Sequence, residues 1–201
     1  MDTPITRLGD LGGPRSGAFA LTYDDGPEEP WTGAILDHLE ALGAAATFFV
    51  IGDKIEGREA LLRRAVALGC GVEVHAWGHT AMTEQDPPRV SAEIERTAGL
   101  IAGVTGAQPR FVRPPFGAVN AEVLARIRDC GLIPAFWSVH AADWTSPGTD
   151  AIVRGVGAGL RRGAVVLLHD GGGDRSQTVA ATPLIVQAAA IRGLRPVRLG
   201  G

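Results

Sequence analysis

The chain has 201 residues, 45% of them hydrophobic, and a formal net charge of −3. That length suits one domain, residues 1–201, with ample material for a core. The charge leaves no electrostatic footprint for nucleic acid, and no apolar run is long enough to span a membrane.

The first predicted element is the apolar run Ala18-Phe19-Ala20-Leu21, a buried strand. It leads into Thr22-Tyr23-Asp24-Asp25-Gly26-Pro27, where Gly26 and Pro27 force a turn. Successive strand residues face opposite ways, so both acids reach one site only at the strand's frayed end. Paired acids there fit a division of labour, with one holding a metal and the other moving a proton. Asp-Asp-Gly is also ordinary turn chemistry, and on this stretch alone both readings stand.

Ile35, Leu36, Leu39 and Leu42 recur at helical spacing, followed by a strand-like run at 45–51. Leu61, Leu62, Ala65 and Val66 mark the next helix, and 72–75 the next strand. That strand ends in Val74-His75-Ala76-Trp77-Gly78-His79. His75 and His79 are spaced to share one face of a helical turn. Imidazole nitrogen is a common ligand for zinc and similar metals. With Asp25 they make one oxygen and two nitrogen ligands, leaving positions open for water and substrate. Chance explains the histidine pair alone, but poorly beside the double Asp.

Asp86 before Pro87 and Pro88 opens a helix carrying Val90, Ile94, Thr97 and Ile101. The run 110–113 leads to Arg113-Pro114-Pro115-Phe116-Gly117, and 132–138 precedes Asp143-Trp144. The run 164–169 ends in Leu167-Leu168-His169-Asp170, and a last strand is predicted at 194–198. Gly43, Gly69, Gly131, Gly163 and Gly193 fall where helices should stop. Cys70 and Cys130 each precede such a Gly or a strand and read as buried free thiols.

Alternating β and α elements imply a parallel sheet. Seven β units fit this length better than the eight of a full barrel, which takes about 250 residues. Each chemical block sits at the C-terminal end of a predicted strand, the rim that carries active sites in α/β barrels. An open doubly wound sheet is the structural runner-up.

These blocks, in this order, resemble the polysaccharide deacetylase family, the NodB-like carbohydrate esterases. The resemblance runs from about Ala18 to Val197, and the tail from Leu168 to Thr178 is similar to bacterial chitooligosaccharide and peptidoglycan deacetylases. It implies an α/β fold, a distorted (β/α)7 barrel, in agreement with the pattern reading. It implies a metal-dependent hydrolase that removes acetyl groups from N-acetylated amino sugars. Asp25, His75 and His79 would bind one divalent ion, zinc first, with cobalt or nickel as substitutes. Asp24 would be the general base, with Arg113 pairing with it and holding it ionised and in place. The backbone N–H of Phe116 would stabilise the oxyanion. His169 would be the general acid, with Asp143 on its other ring nitrogen. Leu167 and Trp144 would wall a small apolar pocket for the acetyl methyl.

The sequence departs from the family at two positions near these blocks. His140 stands where the family often has Asp, a rim residue or a solvated loop histidine. Glu73, two residues before His75, is a candidate to alter the bonding behind that ligand. Short connecting segments leave little material for extended sugar subsites. The expected partner is therefore a carbohydrate or a small acetylated molecule. Competing readings are O-deacetylation, as on acetylated xylan, and a tailoring enzyme for a small-molecule amide or ester. Two others are an Fe(II) oxidative enzyme and a non-catalytic carbohydrate-binding relic. The first residues, Met1 to Arg7, carry no apolar signal region. The expected compartment is the cytoplasm if Met1 is the native start, and outside the cell if a leader has been removed.

Overall fold

Strand β1 (Ala18–Asp24) is buried along its whole length. Its alternate residues serve two different cores. Phe19, Leu21 and Tyr23 join a large cluster beneath the helices, while Ala18 and Ala20 join a smaller one inside the barrel. The same period puts Thr22 and Asp24 on the inner face. The computed structural model describes residues 4–11 and 17–201; the start at Met1–Thr3, on which the expected compartment turns, lies outside them.

Around β1 the chain alternates strand and helix. In order come α1 (Trp31–Ala41), β2 (Thr47–Ile51), α2 (Glu59–Ala67), β3 (Gly71–Ala76), α3 (Pro87–Thr105) and β4 (Phe111–Val112). Then follow α4 (Ala121–Asp129), β5 (Ile133–Pro134), β6 (Val139–His140), α5 (Thr149–Gly159), β7 (Val165–His169), α6 (Ser176–Ile191) and β8 (Arg195–Val197). All paired strands are parallel, in the order β5-β4-β3-β2-β1-β7-β6, with β8 joining β1 at Ala18–Ala20. The order runs round without the reversal of a doubly wound sheet, so the distorted (β/α)7 half-barrel is the fold.

The run predicted as one strand, 132–138, holds only the short β5; β6 begins just after it, and the two are the edges of the sheet. Pro134 has no N–H to extend a ladder, and the chain beyond it crosses the barrel's open side. The N-terminal segment stitches that opening. Ile5 N–H donates to Pro134 O (2.9 Å) and Phe136 N–H to Ile5 O (2.6 Å) on one side. On the other, Leu8 N–H donates to Gly163 O (2.9 Å). Ile5 and Leu8 are then buried with Phe49, Phe111, Val165 and Leu199 in the interior cluster.

The predicted helices are present, and α3 begins at Pro87 behind an extended Asp86. Gly43, Gly69, Gly131 and Gly193 end helices in positive φ. Gly163 does not: α5 already stops at Gly159, and Gly163 turns the chain into β7. Both cysteines are free; Cys70 is buried as expected, whereas Cys130 is only partly so. No helix among the described residues is long and apolar enough to cross a membrane.

Candidate metal centre and acid–base site

β1 ends at Asp24, and Asp25 then adopts φ 78°. That left-handed step breaks the strand's alternation, so two adjacent carboxylates can serve one site. Gly26 must follow, because a Cβ there would overlap the Asp170 carboxylate.

His75 lies near the end of β3, but His79 is not on a helical turn with it, contrary to the spacing argument. The chain bends at Trp77–His79 beyond the strand, anchored by Asp53 N–H to Trp77 O (2.9 Å). The bend achieves what a helical turn would have done. His75 Nε2 and His79 Nε2 each lie 3.2 Å from Asp25 Oδ1. That oxygen is buried and has no hydrogen-bond partner among the described residues. His75 Nδ1 lies 2.6 Å from Arg113 O. A carbonyl only accepts, so Nδ1 carries the proton and Nε2 presents its lone pair. An orphaned carboxylate oxygen beside an aimed imidazole lone pair fits a divalent cation with N/O ligands.

Arg113 follows β4 and reaches across the barrel interior, fully buried. Its Nη1 donates to Asp24 Oδ1 (2.7 Å) and to Thr22 Oγ1 (2.8 Å). Its Nη2 donates to Phe136 O (3.0 Å), and its guanidinium carbon sits 4.0 Å from the Phe49 ring centre. Burial lowers its pKa, and the Asp24 carboxylate works against that shift.

On the opposite side, His169 Nδ1 lies 2.8 Å from Asp143 Oδ1. Asp143 Oδ2 accepts the His169 N–H and the Thr178 hydroxyl, each at 2.9 Å. Burial pushes the His169 imidazole pKa down, and Asp143 more than reverses this, leaving it raised. The Trp144 ring stands edge-on to His169, 5.4 Å between centres. His140 is exposed on β6, in register with Leu167, and stacks on the outer side of Trp144 at 5.5 Å.

A pocket of about 370 Å³ opens among these groups. Asp24, Asp25, His75, His79, Phe116, Trp144, Leu167 and His169 line it, with Arg113 and Asp143 behind Asp24 and His169. Phe116 is 68% exposed at the mouth and packs edge-on against His79. Among the described residues, the non-glycine positions with positive φ are Asp25, Phe116, Ala142 and Ser146. The last two bracket the turn carrying Asp143 and Trp144. Backbone strain of roughly 1–3 kcal/mol per residue thus collects where the pocket is built.

Glu73 does not bond behind His75. Its Oε2 accepts Arg110 N–H (2.7 Å) and Phe111 N–H (2.9 Å), tying β3 to the start of β4, and burial pushes its pKa up to about 7. Several site residues are not singled out by the sequence. Trp137 lines the pocket, packed so closely on Gly117 that a Cβ there would come within 2.8 Å of its ring. Thr22 was legible in principle, being two residues before Asp24 on one strand face. Asp170 is fully buried; it accepts Gly26 N–H (3.0 Å) and the Thr32 hydroxyl (2.6 Å). Burial, with Asp25 and Asp24 nearby, pushes its pKa up to about 7.

Known proteins share this architecture. A family model described as polysaccharide deacetylase matches residues 12–135. A chitooligosaccharide deacetylase from a Bradyrhizobium species is 39% identical over 197 residues, covering 92% of this chain and 89% of that protein. A peptidoglycan-N-acetylglucosamine deacetylase from Bacillus cereus is 33% identical over 179 residues, covering 88% and 84%. Among solved structures, a family 4 carbohydrate esterase from Streptomyces lividans, in complex with acetate, superposes with a TM-score of 0.84. It is 36% identical, with 90% of this chain and 92% of that chain covered. By its sequence match and its fold, the chain belongs to the polysaccharide deacetylase family.

Proposed function

We propose that this protein is a metal-dependent N-deacetylase acting on N-acetylated amino sugars of a chitooligosaccharide, peptidoglycan or related glycoconjugate. The observation that carries the reading is one pocket bearing three things: the Asp25–His75–His79 cluster, an ion-paired Asp24 and an Asp143-bound His169. The activities named for the bradyrhizobial and Bacillus relatives support it.

Asp25, His75 and His79 would hold a divalent ion, zinc first, which when bound would supply Lewis acidity and a lowered pKa for water. Asp24, oriented by Arg113, accepts the proton of the attacking water. The Phe116 N–H donates to the oxyanion of the tetrahedral intermediate. His169 delivers a proton from Nε2 to the leaving nitrogen, while Asp143, itself held by the Thr178 hydroxyl, fixes its ring. Leu167 and Trp144 wall the apolar end of the pocket that receives the acetyl methyl.

The test is acetate release from N-acetylglucosamine oligomers, acetylated xylan and small N-acetyl amides, before and after chelation and zinc return. Release from the oligomers, lost on chelation and restored by zinc, is expected. His75→Ala should lose metal and activity together. Full activity in metal-free protein removes the metal, and release from xylan alone removes the amide substrate.

The acid role has its own test. Asp143 raises the His169 pKa, so the protonated acid persists to higher pH than a free imidazole would allow. Asp143→Asn removes the partner that favours the imidazolium, and the alkaline limb of kcat should move to lower pH. A limb that stays in place shows that His169 is not the acid tuned by Asp143.

A further inference from the structure

Asp25 is held by a second set of groups that the chemistry above does not use. The carbonyls on either side of it are taken by neighbouring strands and loops. Asp24 O accepts Asp170 N–H (2.9 Å), and Gly26 O accepts Ile51 N–H (2.8 Å). Asp25 O lies between them on the left-handed residue and accepts instead from Lys54 Nζ (2.9 Å). Lys54 closes the 3₁₀ turn after β2. Its Nζ is also 2.7 Å from Glu28 Oε2, and the same oxygen accepts Gly172 N–H (3.0 Å).

The loop after β7 is pressed against the same residue. A Cβ at Gly171 would overlap Asp25 O, and one at Gly172 would come 2.9 Å from Asp25 Oδ2. Arg175, itself buried, fixes this loop through Nε to Gly171 O (2.8 Å) and Nη2 to Gly172 O (3.0 Å). Asp25 is therefore held by an ammonium at its carbonyl and crowded by two glycines, Gly171 at the same carbonyl and Gly172 at its carboxylate.

We propose that Lys54 and Glu28 are positioning residues: the pair clamps Asp25 in its left-handed conformation, sets the metal affinity of the Asp25–His75–His79 cluster, and ties that cluster to the loop after His169. The inference rests on the reading of that cluster as a metal site. Its sign separates it from plain electrostatics. An ammonium beside a cation site repels the cation, and Glu28 offsets that repulsion. On charge alone, Lys54→Met should tighten metal binding, and Lys54→Met with Glu28→Gln should leave it unchanged. On positioning, both variants free Asp25 to relax from a conformation that L-residues avoid. Both should then weaken binding by about 10- to 100-fold, the usual loss when a partner behind a ligand is removed.

The experiment uses the full chain and zinc itself. Zinc Kd is measured by competition with a chromogenic chelator, and the visible spectrum of the cobalt-loaded protein reports ligand geometry. Wild type, Lys54→Met, Lys54→Arg, the double variant and His75→Ala are compared, with far-UV circular dichroism of each metal-free protein. Expected is weaker zinc binding and an altered cobalt spectrum in Lys54→Met and the double variant. Lys54→Arg should recover both, since a guanidinium can still donate to Asp25 O and pair with Glu28. Wild-type affinity in Lys54→Met, or tighter binding, overturns the clamp while leaving the metal site intact, provided His75→Ala abolishes binding. Loss of binding that Lys54→Arg fails to recover, or that tracks unfolding of the metal-free chain, also overturns it. A wild type that binds no zinc removes the metal reading and this inference together.

Discussion

Asp24→Asn is expected to keep its metal and lose roughly two to four orders of magnitude in kcat, the span typical of a general base. The carboxamide preserves the shape of the carboxylate and can still accept from Arg113 Nη1, now 2.7 Å from Asp24 Oδ1. It cannot take a proton from water. Asp25→Asn should behave differently, although the two residues are adjacent in sequence. Asp25 Oδ1 is the buried oxygen 3.2 Å from both imidazole Nε2 atoms, so its replacement removes the only anionic member of the three-residue cluster. Metal content and zinc affinity should fall, with turnover falling in proportion to occupancy at limiting metal. Kinetics at saturating zinc, beside metal analysis of each variant, separates the two roles. Equal metal loss in both contradicts the division of labour between the acids.

The proposed division rests on a single backbone angle, and the sequence shows only part of why. Paired acids before Gly26 announce a turn at a strand end, and the rim location follows from where the apolar run stops. The left-handed φ of Asp25, however, depends on Lys54 and on Gly171 and Gly172, far away in the chain. No local pattern relates them. The histidine pair was legible as chemistry and misread as geometry. Its spacing fits a helical turn, yet the bend at Trp77–His79 follows from the end of β3 and the bond to Asp53. The run 132–138 failed for a similar reason. An apolar run reports burial, and the residues crossing the barrel's open side, partly buried from Phe136 to Ser138, keep that signal whether or not they pair as one strand. Trp137 carries no signal at all, because its place in the pocket depends on the approach of Gly117 from another loop.

Arg113 joins these two levels, and its removal should be the most damaging single change to stability. It is fully buried and bonded to Asp24 and Thr22. It also bonds Phe136 O on the segment crossing the barrel's open side. Arg113→Met strands the Asp24 carboxylate without its counter-ion, a loss of about 3–5 kcal/mol for a broken buried pair. At about 2–4 °C per kcal/mol for a domain of this size, Tm should drop by roughly 6–20 °C. Turnover should fall as well, because Asp24 loses the group that orients it. Adding Asp24→Asn to Arg113→Met removes the stranded charge and should recover part of the lost stability. The remainder should persist, since Phe136 O and Thr22 Oγ1 still lack the donors that Arg113 supplied. Activity should not recover, because the proposed base is gone. Thermal melts of the two single variants and the double variant form a cycle that measures the coupling. If Arg113→Met melts with the wild type, the buried pair is not what holds Asp24, and the orientation of the base must come from Thr22 and the strand end alone.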